Sequence, residues 1–181
     1  MLHKTKPATY GVMAAFDDAK TLVAATRAAR DAGYTQIEAY SPFPIEGLHE
    51  AIGFTSTKLP MLVLGGGIIG GLSGFGMQFF AQAIHYPLNI GGRPLNSWPA
   101  WIPITFEMTI LFATFAAVLG MVALNGLPQP YHPVFNVSRF SAASRDQFFL
   151  CIESADPKFS PVEARRFLES QKPLEVSDVP W

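Results

Sequence analysis

Histidine aside, only two charged side chains, Arg93 and Glu107, stand between Lys58 and Arg139. An uncharged run from Leu59 to Gly92 is followed, after Arg93, by a second run from Pro94 to Ser138 that only Glu107 interrupts. Residues 59–84 and 101–124 each meet the roughly 20 apolar residues needed to cross a bilayer core. In hydrocarbon every backbone N–H and C=O must be paired within the segment, so both stretches are expected to be helices. The chain is therefore read as a two-helix transmembrane hairpin, residues 58–127, with an outer loop at 85–100 and a polar segment on each side.

Charge fixes the expected orientation. Lys4, Lys6, Lys20, Arg27, Arg30 and Lys58 precede the first span, and Arg139, Arg145, Lys158, Arg165, Arg166 and Lys172 follow the second. Positive flanks stay cytoplasmic, which puts both termini inside and the loop outside. Met1 to Pro7 is basic, but residues 8–19 lack an unbroken apolar core, so the first span is expected to act as its own internal address. Tyr86, Trp98 and Trp101 suit the outer interface. Taking about a third of the 181 residues for the membrane leaves enough for one small soluble domain.

The soluble halves are residues 1–57 and 128–181. Tyr10, Val12, Ala14 and Phe16 alternate with Gly11, Met13 and Ala15, the period of a strand. Asp17 or Asp18 can cap a helix whose Leu22, Ala25, Ala29 and Ala32 share one face, with Gly33 as its stop. Residues 36–40 read as another strand, and 48–54 as a short amphipathic approach to the membrane. After the hairpin, residues 131–144 have no period and read as a linker along the inner surface. Phe148 to Glu153 is a strand again. Ser160-Pro161-Val162-Glu163 carries the signature of a capped helix start. Arg165 and Glu169 can pair one turn apart, and residues 174–179 can form a last strand. Strand, helix, strand occurs twice. The expected fold class is thus an α+β membrane protein, a ferredoxin-like βαβ–βαβ domain with the hairpin inserted between its halves. An even number of crossings lets both halves meet on one side.

Gly65-Gly66-Gly67-Ile68-Ile69-Gly70 has the spacing G-x-G-x-x-G, but no acidic residue lies between Glu50 and Glu107 to hold a ribose. The same residues give small-xxx-small spacing, Gly66/Gly70/Gly74 and Gly67/Gly71, which lets another helix approach the backbone closely. Helix packing, on the second span or on another protein, is the preferred reading. Glu107 lies about 9 Å beyond Trp101 along a helix rising about 1.5 Å per residue. A carboxylate in hydrocarbon costs about 2.5–3.5 kcal/mol on insertion scales. It is therefore expected to be protonated, paired or turned to a polar cavity. One reading is a proton route or a contact near a quinone. The other, preferred, is an interhelical hydrogen bond to Thr105, Thr109 or a partner chain.

The single cysteine, Cys151, excludes an intramolecular disulfide and any multi-cysteine zinc or iron–sulfur site. Cys151 reads as a core thiol. His3, His49, His85 and His132 are scattered and form no paired metal-ligand spacing. No nucleic-acid-binding pattern is present. No catalytic, cofactor or metal residues are therefore assigned.

Several stretches together carry a resemblance: Tyr10-Gly11-Val12-Met13-Ala14 with Phe16-Asp17-Asp18; Ala39-Tyr40-Ser41-Pro42-Phe43-Pro44; Tyr86-Pro87-Leu88-Asn89; and Gly91 to Pro99. Pro103 to Glu107, Asn125 to Pro128, Tyr131 to Phe135, and Arg145-Asp146 with Phe148 to Glu153 continue it. In these stretches the chain resembles the ActD subunit family of alternative complex III, a bacterial quinol:electron acceptor oxidoreductase. The resemblance implies an accessory subunit of the inner membrane that is not itself an enzyme and binds no cofactor. It implies partner subunits carrying haem c and iron–sulfur clusters: a multihaem cytochrome, a mono-haem cytochrome and an iron–sulfur subunit. Two large quinol-site-type membrane subunits would complete the set, with quinol as substrate and the lipid bilayer as surroundings. A reading from another class remains beside it, a free-standing two-span sensor whose cytoplasmic domain binds a small ligand.

Overall fold

The computed structural model describes residues 9–54 and 56–181. His3, Lys4 and Lys6 lie outside them. The described residues form two compact units, 9–54 with 130–181, and 56–129. In chain order the elements are β1 (Thr9–Phe16), α1 (Ala19–Asp31), β2 (Ile37–Tyr40), α2 (Leu48–Ile52), α3 (Leu59–Phe79), α4 (Ile102–Leu124), β3 (Phe148–Glu153), α5 (Pro161–Ser170) and β4 (Glu175–Pro180).

The first unit is a four-stranded antiparallel sheet in the order β2-β3-β1-β4. Strand β1 lies between β3 and β4, and β2 pairs only with β3. Every ladder therefore joins a strand from before the hairpin to one from after it. Neither half contains a hydrogen-bonded strand pair of its own among the described residues; the two halves meet in one sheet.

One sheet face packs Val12, Ala14, Phe16, Leu150 and Ile152 against Leu22, Ala25 and Ala29 of α1 and Ala164 and Leu168 of α5. Asp18 caps α1, its Oδ2 accepting from Lys20 N at 3.2 Å. Thr26 is also buried on that helix, because its hydroxyl donates to Leu22 O at 2.8 Å within its own turn. Leu48 and Ile52 of α2 belong to the same core, so residues 48–52 are packing against the sheet unit where a membrane approach was expected. At α5, Ser160 takes the extended cap conformation but its side chain makes no cap bond, and the expected capping box is not closed. Arg165 reaches Glu169 at 3.9 Å and holds Asp178 of β4 more closely, at 2.9 Å.

The other face is covered too. Residues 131–144, read as a linker, contain two 3₁₀ segments, Pro133–Asn136 and Ser138–Ser144. Val134, Phe140 and Ala142 pack on Met13, Ala15, Phe149, Cys151 and Val179. This explains why β1 and β3 have apolar residues on both faces: neither face meets water. Arg139 fastens the cover, donating to Gln147 Oε1 at 2.9 Å and Glu175 Oε2 at 2.8 Å.

Asp156 ties the two halves together away from the sheet. Its Oδ2 accepts from Thr35 N at 2.6 Å, Thr35 Oγ1 at 3.1 Å and Gln36 N at 2.8 Å, and its Oδ1 accepts from Lys158 N at 2.7 Å. Burial alone would raise its carboxyl, but these donors outweigh it and hold it below the usual range. A carboxyl lowered in the folded state contributes stability that is complete above its unfolded pKa and is lost as pH falls through the folded one. Asp156→Asn should cost about 1–3 kcal/mol at neutral pH, the price of a buried donor left unsatisfied. Chemical denaturation across pH checks it: the gap to wild type should hold down to the ordinary carboxyl value of 3.8 and close below it.

Candidate functional site

The second unit is the hairpin. Helix α3 continues through a π-helical turn, Phe80–His85, and α4 is entered through a 3₁₀ turn, Trp98–Trp101. Together Leu59–His85 and Trp98–Leu124 are each 27 residues, long and apolar enough to cross a membrane. Hardly any of either is buried by the rest of the chain.

What holds the two helices together is a stripe at four-residue spacing on α3: Gly66, Gly70, Gly74 and Gln78. A Cβ at Gly66 would stand 2.6 Å from Ala116 Cβ and 2.8 Å from Phe112 O. At Gly70 it would overlap the Met108 carbonyl oxygen and lie 2.8 Å from Phe112 Cβ, and at Gly74 it would lie 2.9 Å from Met108 Cβ. Gly67 and Gly71 flank the seam, facing Thr109 at 3.7 Å and 3.0 Å. At Gly66, Gly70 and Gly74 the approach is one that only a missing side chain permits. The glycines thus face α4 of the same chain.

Gln78 was not singled out from the sequence, yet it completes the stripe. It is 5% exposed, and its Nε2 donates to Gly74 O at 3.0 Å, Trp101 O at 3.2 Å and Thr105 Oγ1 at 3.4 Å. Trp101, expected at the interface, is instead buried against Phe75 and Phe79, with Nε1 donating to Gln82 Oε1 at 3.2 Å. Its spacing from the apolar run could not separate a belt ring from a clasp. The signal for Gln78 was available: an amide in an apolar run, one turn beyond a glycine stripe, needs partners.

Glu107 lies outside this seam. Thr105 accepts from Gln78, and the Thr109 hydroxyl donates to Thr105 O at 2.8 Å, so the two threonines offered to Glu107 are engaged within the hairpin. Glu107 is exposed and has no hydrogen bond or ion pair among the described residues. Ala116, in the seam, is nine residues on, about half a turn around the helix, so Glu107 sits on the face of α4 turned away from α3. Thr114, seven residues on, shares that face.

The sheet unit holds a second polar cluster that the sequence did not reveal. In the β2–β3 register Glu38 stands opposite Cys151, and Glu153 is its diagonal neighbour on the same face. Burial first, then Glu38, pushes Glu153 up, partly offset by the Tyr10 hydroxyl. The Tyr40 hydroxyl donates to Glu38 Oε2. His132 Nε2 lies 3.4 Å from the Tyr10 hydroxyl and 4.0 Å from Glu38. Burial and this acidic surrounding push the Tyr10, Tyr40 and Cys151 groups up, keeping all three protonated. Chemically the cluster fastens the chain leaving α4 to the sheet edge. Among the described residues no three His, Cys, Asp or Glu side chains converge in a group that could hold a metal ion.

A hairpin clasped by its own glycines, with two helices long and apolar enough to cross a membrane, together with a four-stranded unit built from both halves of the chain, fits the class of two-span membrane proteins. The family model for the ActD subunit of alternative complex III matches residues 10–178, and the chain belongs to that family. It therefore has partner subunits in that complex. No curated protein matches the chain.

Gly70→Ala should destabilise the hairpin by about 1–3 kcal/mol, since the Met108 backbone has nowhere to move. Gly76→Ala, with nothing within 4 Å of the added methyl, should change stability by no more than about 0.5 kcal/mol. Thermal unfolding of both variants in detergent distinguishes the seam from a general intolerance of side chains.

Proposed function

We propose that this chain is a non-catalytic accessory subunit of a quinol:electron acceptor oxidoreductase of the inner membrane, stabilising the assembly. The observation that carries this reading is the family match across residues 10–178. The partners it would meet are the large quinol-site-type membrane subunits, with the haem and iron–sulfur subunits carrying the electrons. The soluble unit is a ferredoxin-like domain in this reading, supported by the strand order β2-β3-β1-β4 with α1 and α5 on one face. Both of its halves lie on one side of the bilayer, because strands that share a ladder cannot be separated by a membrane. Lys58, directly before the first span, and the cations that follow the second in sequence favour the cytoplasm as that side.

The Glu107 face of α4 is the docking face. A carboxyl at that depth cannot be left to lipid, and α3 does not reach it. A hydrogen-bond donor on a partner's helix would satisfy it and also fix depth and rotation. The proton-route reading uses the same carboxyl differently, and one variant separates them.

Purification in mild detergent through a tag on this chain should bring haem-containing partners with it. Glu107→Gln should lower their recovery roughly tenfold, the loss expected for one charge-assisted bond, while turnover of the complex that does assemble stays near wild type. A stable, haem-free monomer from wild type would contradict the accessory reading. Full assembly with strongly reduced proton-coupled turnover would move Glu107 to a proton route.

A further inference from the structure

Where the π-helical turn Phe80–His85 meets the returning loop, the hairpin encloses a cleft of about 500 Å³. Gln82, His85 and Arg93 contribute polar groups to it, and Leu88, Ile90 and Leu95 form an apolar wall. Arg93 is the sole Lys or Arg from Leu59 to Ser138, and the loop contains no carboxylate to neutralise it. Its Nε donates to Ser97 Oγ at 2.8 Å. That bond orients the guanidinium, and among the described residues the terminal nitrogens have no ion-pair or hydrogen-bond partner.

The apolar wall is as telling as the charge. Leu88 and Ile90 are 56% and 73% exposed, and the exposed ring of Tyr86 lines the same cleft. Aromatic rings of this kind mark the headgroup level of a bilayer. A small aqueous anion would use the guanidinium and leave the wall in water. An amphiphile uses both: an anionic phosphate matches the planar fork of arginine, and hydrocarbon next to the phosphate covers the leucines and isoleucine.

We propose that this cleft holds one phospholipid of the surrounding bilayer, with its phosphate on the Arg93 guanidinium and its glycerol and upper acyl segments against Leu88, Ile90 and Leu95. The bound lipid neutralises an otherwise uncompensated cation and anchors the loop at the headgroup level. The inference rests on the hairpin spanning a membrane and not on which proteins accompany it.

The test uses native membranes containing the tagged full chain, into which a phospholipid bearing a diazirine near its glycerol is introduced. After illumination the chain is isolated and its crosslinked peptides are mapped, so the result does not depend on recovering partner subunits. Label should concentrate on residues 82–95 relative to the lipid-facing stretches of α3 and α4. Arg93→Gln should reduce that label roughly tenfold, Arg93→Lys less, and added inorganic phosphate should leave it unchanged. Uniform label along the wild-type hairpin, label indifferent to Arg93→Gln, or label abolished by inorganic phosphate would each overturn the proposal. If Arg93→Gln fails to accumulate, the wild-type map and the Arg93→Lys comparison still decide it.

Discussion

The sheet can be built only when both ends of the chain are in one place. β1 and β2 have no ladder with each other, and neither do β3 and β4; all pairing is between the halves. The hairpin is consequently a very long loop between strands that must meet. For a flexible loop, closure cost grows only slowly with length. Here the loop is two helices packed closely on one another and not a flexible chain. Within the sheet unit Asp156 adds a further tie between the halves, through Thr35 and Gln36.

The hairpin assigns different tasks to different faces of its helices. Lipid supplies apolar contact everywhere, so apolar side chains alone give two helices little reason to associate. Close backbone approach at Gly66, Gly70 and Gly74 gives contact that lipid cannot replace, and Gln78 adds directional bonds at the end of the seam. The opposite face of α4 carries Glu107, a group costly in hydrocarbon that has no hydrogen bond or ion pair among the described residues. In the sheet unit, by contrast, the acidic cluster of Glu38 and Glu153 is met internally by Tyr10, Tyr40 and His132. The polar groups of one unit close in on themselves, while the other presents a polar group outward. Membership of the ActD family means that the chain has partner subunits in alternative complex III.

Much of this was legible because its signals are long or periodic. Two uncharged runs of membrane length, alternation from Tyr10 to Phe16 and from Phe148 to Glu153, and the stripe of α1 each state their element in the sequence. Residues 133–144 were not legible, since 3₁₀ segments bury Val134, Phe140 and Ala142 at irregular intervals. Residues 48–52 were too short to tell a core helix from a membrane approach. The Glu38–Glu153 cluster is made by strand register, with His132 arriving from far along the chain, and no local pattern announces it. Trp101 was misplaced because an amphipathic ring near a span end suits either the interface or a buried bond, and only Gln82 decides.

The account stands on both halves of the sheet lying on the same side of the membrane. The direct measurement is side-specific accessibility in sealed vesicles, using tags at residues 1 and 181 and a thiol introduced by Asn96→Cys. The native Cys151 is fully buried and will not compete for label. Both tags should be reached from one side and the thiol at position 96 from the other. Tags reached from opposite sides would mean that the strands could never have met.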